Sequence, residues 1–205
     1  MNTIHLRPAR PTEADAQAFA ALYEAATLGM MRHYLGSRAY TILTDLFLQP
    51  CHEHSYDVTT LAEIEGRAVG VLMGYSSADH EAISQRTLLL YLRYGAWGLL
   101  RSLPTIARLR PLRAVTGGMP QDAYYIKGLA VHPQYQRQGI GRQLMAYAEE
   151  RAEQAGCQRM LLDVRPHNTA ALALYQACGY SITAKTPSVH VKGEDIAFFR
   201  MEKGL

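Results

Sequence analysis

The stretch that decides the fold is QRQGIG, Gln136 to Gly141, set between YYIKGLAVHP (124–133) and RQLMAYAEERAEQAG (142–156). The segment before it reads as a strand. The segment after it repeats apolar residues at helical spacing, with Ile140, Leu144, Ala148 and Ala152 on one face. Gly139 and Gly141 therefore stand where a strand turns into a helix. Glycine there removes the Cβ and lets another group come close to the backbone. At a helix start the first amides are unpaired and the dipole is positive, so the natural visitor is an anion. A tight turn with close helix packing would account for the same two glycines without a ligand.

Two phosphate-binding loops do not fit. A P-loop needs Gly-Lys-Ser/Thr, and Gly141 is followed by Arg142 and Gln143. A dinucleotide fingerprint needs a small residue three positions after Gly141, where the chain has Leu144.

Working outward toward the C-terminus, the helix from Ile140 to Ala155 meets a stop signal at Gly156, and RMLLDV (159–164) reads as a buried strand. Asn168 has the chemistry to cap a helix that runs through Tyr175 to Cys178 and ends at Gly179. SITAK (181–185) and DIAFFRME (195–202) supply two closing strands. Toward the N-terminus, TIHLRPA (3–9) is a short strand ending at Pro8, and Thr12 with Asp15 has capping-box spacing. Phe19, Leu22, Tyr23 and Ala26 follow at helical spacing, and a second helix is predicted from Ser37 to Leu48, before Pro50. VTTLAEI (58–64) and RAVGVLMGY (67–75), joined by Glu65 and Gly66, form a hairpin pattern.

Residues 76 to about 123 interrupt this order as a helical insertion. No acidic residue occurs from Ala82 to Gln121, while Arg86, Arg93, Arg101, Arg108, Arg110 and Arg113 all fall inside. Leu89, Leu92, Ala96, Leu99 and Leu103 share one helical face, predicted to dock on the domain, and Arg86, Arg93, Trp97 and Arg101 share another. Pro104 divides the insertion into two predicted helices. The arginine face is either a solvated surface or a substrate lid, dimer surface or contact with an anionic partner.

The QRQGIG loop after its strand, together with DVRPHNTAALALYQACGY (163–180), resembles the Gcn5-related N-acetyltransferase family. The family pattern Gln/Arg-x-x-Gly-x-Gly/Ala falls on Gln136, Gly139 and Gly141, and Asn168 and Tyr175 stand in register with its later motif. The two motifs cover roughly the last 80 residues, counted from the sequence, and the β-α-α-β-β order upstream agrees. The resemblance implies an α/β fold with a mixed, mostly antiparallel central sheet flanked by helices and splayed where a cofactor arm inserts. It implies one domain over 1–205 with the insertion inside it. The donor would be acetyl-CoA and the acceptor a primary amine that attacks the thioester directly. Leu129, Ala130 and Val131 would line the pantetheine arm, with backbone pairing at Leu129 and Val131. Gln136, Arg137, Gln138, Gly139, Ile140, Gly141 and Arg142 would hold the pyrophosphate, Asn168 would contact the arm, and Tyr175 would protonate the sulfur.

Bland readings stand beside these: Tyr175 as a core tyrosine at the same spacing as Leu172, and Asn168 as a helix cap only. Many family members carry a Glu on the fourth strand as base, but Tyr125-Ile126-Lys127-Gly128 has no carboxylate. Asp122, Glu81 or a water held by carbonyls are the remaining candidates. Cys51-His52-Glu53-His54 is dense in metal ligands, yet a fourth ligand is unassigned, the reaction needs no metal, and none is expected.

Composition narrows the classes. The 205 residues, 48% hydrophobic and 19% charged, fit an ordinary soluble domain, and a net charge of +3 gives no case for nucleic acid. Three widely spaced cysteines, Cys51, Cys157 and Cys178, suit a reducing cytoplasm. The N-terminal stretch has no signal-peptide pattern, and no apolar run approaches the ~20 residues that span a bilayer. The reading is a cytoplasmic N-acetyltransferase of a small-molecule amine, with homodimerisation open. Its alternatives are a protein N-terminal or lysine acetyltransferase, or a non-catalytic acyl-CoA-binding module.

Overall fold

The computed structural model describes residues 3–26, 36–108, 111–112, 118–191 and 193–205. Strand β1 (His5–Pro8) leads into helix α1 (Glu13–Ala26) and then α2 (Ala39–Phe47). The hairpin β2 (Thr59–Ile64) and β3 (Arg67–Ser76) feeds α3 (Ser77–Arg108). Next come β4 (Ala123–Val131), α4 (Ile140–Gln154), β5 (Arg159–Val164) and α5 (Thr169–Ala177). Strands β6 (Ser181–Lys185), β7 (Val189–Val191), β8 (Glu194–Ile196) and β9 (Phe199–Gly204) close the chain. Seven strands form one sheet in the order β1-β2-β3-β4-β5-β9-β6, antiparallel except for the parallel β4–β5 pair.

The sheet is covered on both faces. On one face lie Ile140, Leu144, Met145, Ala148 and Ala152 of α4 with Tyr175 and Tyr180, packed on Leu72, Ile126, Met160, Leu162 and Met201. On the other, Ala16, Phe19, Ala20 and Tyr23 of α1 and Leu43 and Phe47 of α2 pack on Leu61, Val71 and Met73. The alternation of strand side chains sorts the two sets. The hairpin turn forms as expected: Glu65 and Gly66 have φ of 51° and 76°, the paired left-handed residues of a two-residue turn.

Several elements differ from the sequence reading. Thr12 caps α1 through its Oγ1, which accepts the Asp15 amide at 3.3 Å, but the Asp15 carboxylate does not complete the box. It takes a fork from Arg7 (2.7 and 2.8 Å) and the Arg10 amide (2.7 Å), while the Thr12 amide that the box would use donates to the Arg10 carbonyl at 2.7 Å. DIAFFRME is split between β8 and β9. Thr186 pins the break by donating its amide to the Phe198 carbonyl and accepting the Phe198 amide on its Oγ1.

The insertion begins as one helix rather than two. α3 runs through Pro104, whose missing N–H removes one bond without ending the helix. Among its described side chains the buried ones are Ile83, Thr87 and Leu90, with Leu90 against Ile42 and Leu46 of α2. Leu89 and Leu92, predicted to dock, are 60% and 41% exposed. Those two leucines of the predicted face are therefore turned to solvent, and the buried side chains include a threonine whose hydroxyl donates to the Ile83 carbonyl and accepts the Glu53 amide. Arg86 and Arg93 are exposed. The side chains of Ala96, Trp97, Leu99, Arg101 and Leu103 lie outside the described residues, as do Arg110 and Arg113.

Candidate functional site

The parting of β4 from β5 makes the site. The two strands pair in parallel only from Ala123↔Arg159 to Ile126↔Leu162. Beyond Ile126, β4 continues along β3 while β5 stays with β9, which leaves one edge of β4 open. Lys127 sits at the parting point as the extra residue of a β-bulge, since Met73 pairs with Gly128 and Gly74 with Ile126.

Register determines which backbone groups face the gap. His132 donates its amide to the Val69 carbonyl at 2.8 Å, and Gly70 is paired with Val131. In antiparallel alternation Ala130 then exchanges its bonds with Val71, while Leu129 and Val131 turn their N–H and C=O to the open edge. Ala130 thus has its backbone committed to β3. The Val131 carbonyl also accepts the Gln136 side-chain amide at 3.0 Å, which ties the loop to the end of the strand.

The loop then enters α4. Arg137 and Gly139 both take left-handed φ, 62° and 84°. The first intrahelical bond of α4 is donated by Gln143 to the Gly139 carbonyl at 3.1 Å. The amides of Ile140, Gly141 and Arg142 precede it and have no carbonyl one turn back within the helix. Arg137, Gln138 and Arg142 are exposed, whereas the Ile140 side chain is buried in the core. The Gln138 side chain donates to the Gln134 carbonyl at 3.3 Å.

The glycines have different reasons to be glycine. A Cβ on Gly139 would meet nothing within 4 Å, so its requirement is the left-handed backbone. A Cβ on Gly141 would lie 3.0 Å from Leu174 Cδ2 and 3.9 Å from Leu129 Cδ2. Gly141 lets α5 come down against α4 beside the open stretch of β4. Asn168 caps α5 by accepting the Ala171 amide at 3.2 Å. Tyr175, one residue after Leu174, is buried, and burial raises its pKa to about 12, so its hydroxyl holds its proton at neutral pH.

On the opposite sheet face an ionic group covers the same parting point. Lys127 Nζ lies 2.8 Å from Glu53 Oε2, with the two side chains 27% and 20% exposed. Tyr75 donates its hydroxyl to Glu53 Oε1 at 3.4 Å, and the Glu53 amide bonds Thr87 Oγ1 of α3 at 3.1 Å. Burial pushes the Glu53 carboxyl up, but the Lys127 charge and the hydrogen bonds from Lys127 and Tyr75 together outweigh it and the net shift is downward; Lys127 is raised in turn. His54 is not the compensating cation, because full burial lowers its pKa to about 3. Beside this pair, Asp163 receives Arg200 at 2.8 and 2.9 Å and the Tyr125 hydroxyl at 3.0 Å.

The two carboxylates read from sequence as base candidates, Asp122 and Glu81, lie elsewhere. Asp122 accepts Arg159 at 3.0 and 3.1 Å at the far end of β4, five residues or ~16 Å of strand before Lys127. Glu81 is on an exposed face of α3 and accepts Gln85 at 3.1 Å. Glu53, paired here with Lys127, enters the sequence reading only as one of four potential metal ligands. The His52 ring has both nitrogens on backbone groups, Leu46 O at 2.7 Å and the His54 amide at 3.2 Å, and His54 packs against Tyr23. No cluster suited to a metal occurs among the described residues.

The sequence model of the acetyltransferase (GNAT) family matches residues 19–180, most of the chain, from within α1 through the end of α5. The chain belongs to the GNAT acetyltransferase family. Among curated GNAT-type relatives, it is 43% identical over 60 residues to the ribosomal protein bS18-alanine N-acetyltransferase of Escherichia coli K12, covering 29% of this chain and 40% of that one. It is 31% identical over 87 residues to an aminoglycoside N(6')-acetyltransferase type 1 of Stenotrophomonas maltophilia, covering 42% of this chain and 50% of that one. The chain thus matches about two fifths to one half of the length of these relatives. The GNAT fold extends further: an N-acetyltransferase structure from Staphylococcus aureus Mu50 matches with a TM-score of 0.66 at 20% identity, over 97% of this chain and 100% of that one.

Proposed function

We propose that the chain transfers an acetyl group from acetyl-CoA to a primary amine by direct attack in a ternary complex. The observation that carries this reading is the open edge of β4. Leu129 and Val131 offer backbone groups to the gap, within reach of the glycine loop at the start of α4. An extended pantetheine arm pairs with such an edge as an added strand would. Its pyrophosphate then meets the amides from Arg137 to Arg142, where left-handed residues and a helix start favour an anion.

The arrangement supplies what aminolysis of a thioester needs. Binding both reactants in the gap replaces a bimolecular encounter with a positioned one. Tyr175, protonated at neutral pH, serves as the donor to the departing sulfur, and Asn168 contacts the arm from the start of α5. The retained tyrosine favours an enzyme over an acyl-CoA-holding module.

A small-molecule acceptor in the cytoplasm is the reading we favour. What supports it is that the α3 insertion packs next to the Glu53 segment through Thr87, on the face where the acceptor would approach. An acceptor at a peptide N-terminus is the second reading, favoured by the likeness to the bS18-alanine acetyltransferase. Two measurements test the proposal: calorimetric titration with acetyl-CoA, and thiol release with small amines and an alanine-terminated peptide. Absence of acetyl-CoA binding by the folded chain would refute it.

A further inference from the structure

We propose that Glu53 receives the acceptor's ammonium at the parting of β4 and β5 and takes its first proton, with Lys127 as the residue that positions it. This rests on the acetyl-transfer reading above and addresses the carboxylate that β4 lacks. Three observations place the role on Glu53. It stands over Lys127, the bulge residue immediately after the last β4–β5 pair, where the strand edge opens. Its carboxylate comes from the α1/α2 side of the sheet, while Tyr175 is buried on the α4/α5 side, so proton acceptor and donor approach from opposite faces. It is also held at three points: Lys127 at 2.8 Å, the Tyr75 hydroxyl at 3.4 Å, and its own amide on Thr87. The other carboxylate near the gap, Asp163, already accepts a two-point guanidinium fork and a tyrosine hydroxyl.

Glu53 has one strong ionic partner and a fifth of its side chain exposed, which leaves lone pairs for a second cation. An incoming ammonium would share the carboxylate with Lys127. The proton balance is simple. Glu53 takes one proton from R–NH3+, and the freed lone pair forms the C–N bond at the thioester carbon. The C–S bond then breaks, and the sulfur takes the Tyr175 proton, which Tyr175 regains from the second proton that nitrogen loses. The proton on Glu53 passes to water, so the sum is amide, CoA thiol and one released proton.

The groups facing Glu53 define its pH behaviour. Lys127 and Tyr125 come from β4, Tyr75 from β3, Tyr23 from α1, and His54 follows it in sequence. The tyrosines are uncharged near neutral pH because burial raises them all. Lys127 is thus the cation whose removal moves the Glu53 titration upward, by ~1–3 pH units for a close opposite charge.

The experiment measures thiol release from acetyl-CoA with L-alanine amide, spermidine and kanamycin A as acceptor probes, and acetyl-CoA affinity by calorimetry. Glu53→Gln keeps the shape and should lower kcat/KM for any probe turned over by ~10²-fold or more, with acetyl-CoA Kd unchanged. Lys127→Met keeps Glu53 and should move the acidic limb of the kcat/KM profile to higher pH, which serves if Glu53→Gln does not fold. Glu53→Gln within threefold of wild type, or an unmoved limb in Lys127→Met, overturns the assignment while leaving the transfer reading intact. Wild-type chain that binds acetyl-CoA but releases thiol with no probe overturns both.

Discussion

Gly141 lies directly beneath Leu174: a Cβ there would stand 3.0 Å from Leu174 Cδ2, closer than side chains normally approach. α4 and α5 meet through this contact, and α5 carries Tyr175. Gly141→Ala should therefore displace Leu174 by a few tenths of an ångström or destabilise the fold, by ~1–3 kcal/mol if α5 cannot yield. Urea melts of Gly141→Ala alone and with Leu174→Ala check this. The second substitution should restore part of the loss, and purely additive losses would show that the two residues are not coupled.

Gly139→Ala probes the loop differently. Its Cβ enters open space, so the cost within the protein is the left-handed backbone, ~1–2 kcal/mol. If the loop amides hold a pyrophosphate, that Cβ also stands in the ligand's approach. Calorimetry on the folded variant should show acetyl-CoA affinity reduced at least tenfold. Wild-type affinity would place the phosphates elsewhere.

The two leucines at 89 and 90 should behave in opposite ways. Leu90 is 5% exposed against Ile42 and Leu46, whereas Leu89 is 60% exposed. Leu90→Ala should cost ~2–5 kcal/mol, and Leu89→Ala within ~0.5 kcal/mol. Chemical denaturation of both variants tests which face of α3 carries the docking.

His54 sets a pH dependence. Its ring is buried beside Phe19 and Tyr23, and burial depresses its pKa to about 3, below the ~6.5 of an unfolded histidine. Between those values the unfolded chain binds the extra proton, so stability rises with pH there and is fully present above ~6.5. From pH 7 to pH 5 this one group removes ~2 kcal/mol. The slope should flatten in His54→Phe, leaving the contribution of His52, which burial also depresses. An unchanged slope would locate the acid sensitivity in other groups.

Much of the frame was legible because local pattern and tertiary packing agree. Ile140, Leu144, Ala148 and Ala152 were spaced for one face, and all four are buried. Glu65-Gly66 and Asn168 announce their turn and cap through residue chemistry alone. What stayed hidden depends on contacts distant in sequence. Asp15 left its capping box for Arg7, a partner on β1, and Thr186 broke a strand that looked continuous. Glu53 reaches Lys127 across 74 positions, and neither residue carries a local mark of the other. On α3 a hydrophobic count favours Leu89 and Leu92, while the side chains buried among the described residues of that helix are Ile83, Thr87 and Leu90.

Tyr175 offers a direct test of chemistry against packing. A thiolate leaves without help more readily than an alkoxide, since a thiol's pKa is near ~8.5. A hydroxyl donor still eases the departure and suppresses recapture of the acetyl group, and such assistance is usually worth ~10²–10⁴-fold. The raised pKa of Tyr175 keeps that proton in place across the neutral range. Phenylalanine preserves the ring packed near Tyr180, 6.1 Å between centroids, and removes only the donor. Tyr175→Phe should thus lower kcat by ~10- to 1000-fold, with acetyl-CoA Kd and thermal midpoint close to wild type. A tyrosine kept only for the core gives the reverse pattern: turnover per folded molecule holds while stability shifts. Parallel measurement of kcat, Kd and melting in one preparation separates the two, and near-normal kcat would remove Tyr175 from the reaction.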